Sequence, residues 1–343
     1  MSTSAQKRTL YFDVMNIMAC LAVIALHHNG HYHNYTPSRG WVFSLLVECC
    51  FYWAVPVFLM ISGANLLGYH TRYSLGTFLK KRVVRTVIPW FLWSIILLVW
   101  KILTAQFHPE SYSLPYFWNL IVTNKVDATY WFFSTLFTCY LMVPVLTYLT
   151  PHRTIMWYAS GIIFVLSSVQ PSLKTWFGFS QSMVKPVHEP LILFFLLGYL
   201  LNTATLKKGH RIAIYVTGLL SAMYRIIHTY LLSVQAGATT TAVKGYSVWH
   251  SVFLAMAVFV FLKQVDWEKL LPEKVRNMLP AIASCSFGVY LVHKIPLAHL
   301  RIFLGLSSTS IIWKTVCIPL TYLVSLFLVL ILKKIPKIGK YLF

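Results

Sequence analysis

The sequence of 343 residues is informative first through what it has little of. Only 11% of its residues are charged, against about 25% in an ordinary soluble protein. Acidic residues are the scarcest: 8 stand against 29 Lys and Arg, a formal net charge of +21. The 6 cysteines form no CxxC and lie in or beside apolar runs, which leaves neither a disulfide framework nor a thiolate metal site. The first hydrophobic run lacks a small-residue cleavage site, so it reads as a retained span and not as a signal peptide. No internal repeat or low-complexity segment is evident, which weakens the reading of a transporter built from inverted repeats.

What is present is apolar surface. Hydrophobic residues make up 58% of the chain, and runs near twenty residues recur along its length, long enough to cross ~30 Å of hydrocarbon as helices. The fold class expected is all-α: a polytopic integral membrane protein, a single domain over 1–343. About ten transmembrane helices are expected, near 10–29, 41–67, 84–104, 130–150, 154–170, 189–204, 211–233, 246–264, 281–304 and 310–332. With both termini cytoplasmic, nineteen basic residues, beginning with Lys7 and Arg8, fall in inner segments. Six fall in outer ones (Arg39, Lys101, Lys125, Lys174, Lys185, Lys244), and four (Arg225, Lys294, Arg301, Lys314) lie within spans. That asymmetry is the one cytoplasmic loops carry. It accounts for the positive charge without nucleic acid.

Ionisable groups inside spans are costly and become functional candidates. The first span carries Asp13 and Asn16 near its inner end and finishes in IALHHNGHYHNY, residues 24–35, with histidines at 27, 28, 31 and 33. His27 lies about 20 Å of helix beyond Asp13, and His27 and His28 point about 100° apart, so one of the two is expected to face the bundle interior. Glu48, near the outer end of the second span, reaches the same depth as His27. A carboxylate there would orient the imidazole, although a plain structural contact between helices is the competing reading. His28, His31 and His33 are expected at the outer surface. A metal site there would lack a Cys or carboxylate partner, and Gly30 should interrupt the helix, so no metal is expected. At the inner end of the second span, Arg82 and Arg85 share a helical face, suited either to phosphates or to topology signalling alone.

Taken together these residues resemble the membrane-bound acyltransferase 3 family, multi-pass enzymes that O-acylate sugars and other envelope components. YFDVMNIMACLAVIALHH resembles the family's first span, with Asp13 and His27 in place and Asn16 where the family has Arg. VPVFLMISGANLL (55–67) is similar to its FFxxSGxLL block, and KRVVRTVIPW (81–90) to its Arg-x-x-Arg-x-x-x-Pro block. YWFFSTLFTCYLMVPVL (130–146) and SFGVYLVHKIPL (286–297) resemble two later blocks, the second contributing His293. The termini and the SGANLL variant look most like capsule and exopolysaccharide O-acetyltransferases of Gram-positive bacteria.

The resemblance implies an O-acetyltransferase in a bacterial cell membrane. Acetyl-CoA would be the donor, its phosphates held by Arg82 and Arg85. The acceptor would be a hydroxyl of a glycan or lipid-linked sugar, reached from the outer side. His27 would act as general base or acyl carrier, oriented by Glu48. Asp13, Asn16, Ser62, Asn65, Trp131, Tyr290 and His293 would line the path, with helix packing as the plainer role for each. Two other readings stand beside this one: a transporter or flippase for a glycan or lipid-linked intermediate, and a non-catalytic membrane sensor or scaffold.

Overall fold

The computed structural model describes residues 9–178 and 187–343. Lys7, Arg8 and Lys185, which enter the charge asymmetry above, lie outside them. The regular structure of the described residues is helix, with no strand. In chain order the helices are α1 (Leu10–His28), α2 (Arg39–Phe51), α3 (Ala54–Leu66), α4 (Leu75–Arg82), α5 (Ile88–Leu103), α6 (Leu114–Val122), α7 (Trp131–Leu146), α8 (Arg153–Phe164) and α9 (Gln170–Phe177). They continue as α10 (Ile192–Thr203), α11 (Lys208–Ala236), α12 (Trp249–Gln264), α13 (Trp267–Leu270), α14 (Glu273–Ala283), α15 (Ser286–Val292), α16 (Lys294–Phe303), α17 (Ile311–Lys314), α18 (Cys317–Lys333) and α19 (Gly339–Leu342).

Among the described residues, five stretches are long and apolar enough to cross a membrane: 10–28, 39–71, 75–103, 128–149 and 208–236. A sixth is formed if α14 and α15, bent by 54° at their junction, make one crossing. α10, α12 and α18 are shorter apolar helices, and the run expected at 154–170 is α8, a π-helical segment and α9.

On α11 the packing inverts the logic of a soluble protein. Along α11 the buried side is Gly218, Ser221, Arg225, Thr229 and Ser233, spaced three or four residues apart and so on one helix face. The outward side is Leu219, Leu220, Met223, Ile227 and Leu231. α18 likewise buries Thr321 and Ser325 and exposes Leu323 and Phe327. Lipid is as apolar as Leu, so helices associate through small and polar residues. Gly63 of α3 and Gly198 of α10 are the extreme case. A Cβ on Gly63 would sit 2.1 Å from the Phe195 carbonyl oxygen, and one on Gly198 would sit 2.0 Å from that of Met60. Any side chain there would drive the two backbones apart.

Hydrogen bonds between loops sort them into two groups. Thr239 donates to the Tyr32 carbonyl at 2.8 Å, and Lys314 joins His31 at 2.9 Å. At the other end Arg153 donates to Thr203 at 2.6 Å, Arg211 to Gln264 at 2.8 Å, and Lys333 to the Ser284 carbonyl at 3.1 Å. Each of these bonds joins segments that the alternation of spans puts at the same end.

Candidate active site

Where α1 gives out, a cavity of about 550 Å³ opens between α1, α2, the 128–131 turn and the 244–246 loop. His27, Glu48, Tyr52, Trp131, Tyr246 and Tyr290 are among its lining residues. Asn29 ends α1 with φ −87° and ψ 33°, and a short 3₁₀ turn, Gly30–His33, follows. His27 is therefore held in the last regular turn of α1, at the cavity wall.

His27 is paired with His293. Its Nδ1 lies 2.7 Å from His293 Nε2, and the rings stack with centroids 4.8 Å apart and planes at 10°. The second nitrogen of His293, Nδ1, lies 2.7 Å from the Tyr290 carbonyl oxygen. A carbonyl only accepts, so His293 carries its proton on Nδ1 and, in the neutral ring, has a lone pair on Nε2. That lone pair accepts from His27 Nδ1–H. In this neutral pair His27 Nε2 is thus the bare nitrogen, with a proton-accepting lone pair. The break between α14 and α15 places this relay, because it redirects the chain so that α15 brings Tyr290 and His293 against α1.

Three rings stack along the same cavity. Tyr52 and Tyr246 have centroids 4.2 Å apart at 11°, and Tyr246 and Trp131 are 5.3 Å apart at 19°. The buried Arg225 guanidinium lies 3.6 Å over Tyr52 and donates to Ser251 at 3.0 Å. This supplies one end of the stack with a cation–π anchor. Trp131, at the other end, is 38% exposed. Glu48 is buried, 3.4 Å from Lys244 Nζ and 3.4 Å from Asn29 Nδ2. The hydrogen bond that orients His27 comes from His293 and not from Glu48, which shapes the polar floor beside it.

A second cavity, of about 420 Å³, lies toward the other end of α1. Its walls include Asn16, Ser62, Arg82, Arg85, Tyr290 and Lys333. Arg82 closes α4, and Arg85 sits in the π-helical segment Val83–Val87. Such wide turns are frequent at functional sites. The Arg82 guanidinium lies 5.4 Å over the Tyr140 ring, while its buried Nε has no hydrogen-bond partner, a free donor on a fixed cation. Tyr290 lines this cavity and the His27 cavity alike. Along α1, Asn16 in one and His27 in the other are separated by roughly 16 Å of helix rise. Asp13, Asn16 and Asn65 line a third, polar cavity of about 680 Å³ beside it. Asn16 and Asn65 each return their amide to a carbonyl of their own helix, at 2.8 Å.

A comparison with protein families finds the acyltransferase domain of the acyltransferase 3 family matching residues 9–332. The chain belongs to this family. It is a membrane acyltransferase, and its helical, lipid-facing architecture agrees with that. No curated protein and no solved structure matches it.

Two histidines sit where the sequence does not put them. His28 is not at the surface: it is 1% exposed, bonded to the Trp313 carbonyl at 3.0 Å and to Thr321 at 2.9 Å. Trp313 returns its indole N–H to the His28 carbonyl at 3.1 Å. The physical reason is that α18 and the α17 turn cover that face of α1, so both faces of the helix end are inside the bundle. His31 is buried too, 2.9 Å from Lys314 Nζ. Only His33 is exposed. Among the described residues no His, Cys, Asp and Glu group is arranged to hold a metal ion.

Asp127 is a buried residue that the sequence reading passed over. It binds Lys101 Nζ at 2.7 Å and accepts from Thr129 N–H at 3.0 Å and Thr129 O–H at 2.7 Å. Burial penalises its carboxylate. Lys294, the Lys101 ammonium and the Thr129 N–H outweigh that and hold the carboxyl well below its ordinary range. Its rarity was the available signal, as one of only 8 acidic residues.

Proposed function

We propose that this acyltransferase moves an acetyl group from cytoplasmic acetyl-CoA to a hydroxyl of a cell-envelope or exported glycan, working in the bacterial cell membrane with both termini inside. The observation that carries the reading is the tautomer of His27 set by His293, in a residue that lines a cavity sharing a wall residue, Tyr290, with a separate basic cavity. Arg82, Arg85 and Lys333 suit the phosphates of the donor, since planar guanidinium groups take phosphate oxygens two at a time. The thin acyl-bearing arm then runs along α1 past Tyr290, from the basic cavity to His27. The acceptor enters from the outer end. Trp131, Tyr246 and Tyr52 offer it apolar ring faces, and Glu48, Asn29 and Lys244 offer hydrogen-bonding groups.

The chemistry follows from the tautomer. His27 Nε2 takes the hydroxyl proton as the oxygen attacks the thioester carbonyl. The carbon–sulfur bond breaks, and the departing thiolate takes that proton back from the imidazolium. His293 accepts from Nδ1–H throughout and so supports the positive ring. The same bare nitrogen could instead attack the thioester and carry the acetyl group before passing it on.

The test is transfer of labelled acetyl from acetyl-CoA to surface glycan, in cells with and without the gene and with His27→Ala at matched protein level. Loss of glycan O-acetyl with the gene, and with His27→Ala, supports the reading. Unchanged O-acetyl content in both refutes it.

A further inference from the structure

A further cavity, of about 620 Å³, opens next to the His27 cavity, and the two share Lys294 as a wall residue. Its walls include Trp100, Lys101, Asp127, Lys294, His299 and Arg301, with Thr104 and Gln106 as further polar groups and apolar or small residues for the rest. The partition between the cavities is the short stretch from Asp127 to Thr129, since Asp127 lines one cavity and Thr129 the other.

The charges in this cavity do not balance. Asp127 is the one carboxylate in its wall, and it is engaged by Lys101 at 2.7 Å and by Thr129. Lys294 also acts on Asp127, so three cations, Lys101, Lys294 and the exposed Arg301, stand in the wall against that single acid, an excess of two. The Trp100 indole N–H is buried and has no hydrogen-bond partner. A buried donor left unmet is destabilising, and a ligand oxygen there would satisfy it. The Trp100 and His299 rings lie 5.7 Å apart at 39°. The cavity thus presents two surplus cations, an unmet donor and aromatic faces.

We infer that this cavity is an anion subsite for the acceptor. The glycan acetylated at His27 carries a carboxylate or a phosphate on a neighbouring unit, which Lys294 and Arg301 hold while Trp100 and His299 take a sugar face. The inference rests on the acyltransfer reading above, and it adds the class of acceptor: an anionic glycan and not a neutral one.

The test uses the purified full chain in nanodiscs, titrated with glucose, glucuronate and glucose 1-phosphate, with acetyl-CoA binding measured on the same samples. At least one anionic sugar should bind about tenfold more tightly than glucose, the worth of one charge-assisted hydrogen bond. The stronger of the two distinguishes carboxylate from phosphate. Arg301→Gln should abolish the preference, and Arg301→Lys should keep part of it. Salt near 1 M, where the screening length is about 3 Å, should weaken it. Equal binding of all three sugars to the wild type overturns the inference, as does a preference that survives Arg301→Gln. If acetyl-CoA binds and no anion preference exists, the acyltransfer reading stands and the subsite falls. If acetyl-CoA does not bind, the acyltransfer reading itself falls, and the assignment of this cavity to an acceptor falls with it.

Discussion

Replacing His293 is the sharpest probe of the proposed chemistry, because His293 fixes which nitrogen of His27 is bare. His293→Ala removes the acceptor 2.7 Å from His27 Nδ1 and leaves a ring free to put its proton on either nitrogen. Losing one hydrogen bond at a buried site costs about 1–3 kcal/mol, roughly 5–150-fold in rate if it is felt only in the transition state. The ceiling is the whole contribution of a general base, ~10²–10⁴. We expect kcat to fall at least about tenfold for His293→Ala, with the KM for acetyl-CoA nearly unchanged, because the basic cavity is not touched. His293→Gln offers an amide oxygen to the same N–H and should recover much of the loss. The assay is transfer of labelled acetyl in membranes at matched protein level. A purely structural role for His293 would lower the amount of folded enzyme and not the kcat of what remains. The reasoning is refuted if His293→Ala stays within twofold of wild type, or if Gln is no better than Ala.

His27→Ala should make transfer nearly undetectable while acetyl-CoA binding, measured by titration, persists. Arg82→Ala with Arg85→Ala should weaken acetyl-CoA binding at least about tenfold without loss of folded protein, and Arg→Lys should also impair it because the planar fork is gone; normal donor binding would reduce the pair to a topology signal. His28→Ala should act on stability: each buried partner left without its bond, the Trp313 carbonyl and Thr321, costs about 1–3 kcal/mol. Thermal melting in detergent should show it, with near-normal kcat per folded molecule. Reporter fusions at 203–211, 234–246 and after 332 should report inside, outside and inside, and an exported reporter at the last position would sink the ten-span arrangement.

The helices were legible because lipid demands them: a run of twenty apolar residues has few alternatives in hydrocarbon. The breaks within them were less legible. The bend between α14 and α15 follows Pro280 and Ser284, and nothing in local composition says that the chain turns by 54° there. His27 could be singled out because its depth, its offset from Asp13 and its place at the end of a span are properties of one helix. His293 was named only through the family resemblance, as a path residue, and its pairing with His27 was not legible, since it lies 266 residues away and reaches His27 only through that bend. Glu48 illustrates the same limit from the other side. Matching depth on a neighbouring span brought it to the cavity, but depth fixes only one coordinate of the three, and rotation about the helix axis gave its oxygens to Lys244 and Asn29.

The case of His28 shows why periodicity misleads in a bundle of this kind. Two adjacent residues about 100° apart suggest that if one faces inward the other faces lipid. That inference assumes one buried face per helix. α1 has neighbours on several sides, with α2, α3, α12, α14, α15, α17 and α18 all packed against it, so both histidines are enclosed. The tilt of burial toward polar side chains follows from the same fact. In the interior of the bundle His28, Thr321 and Ser325 can satisfy one another or a carbonyl, whereas toward lipid nothing would. A central helix in such a protein therefore hides its function among residues that are polar for packing alone. His27 stands apart from His28 by one feature: among the described residues its ring has a hydrogen-bond partner at Nδ1 alone, and the residue lines a cavity, whereas both ring nitrogens of His28 are bonded.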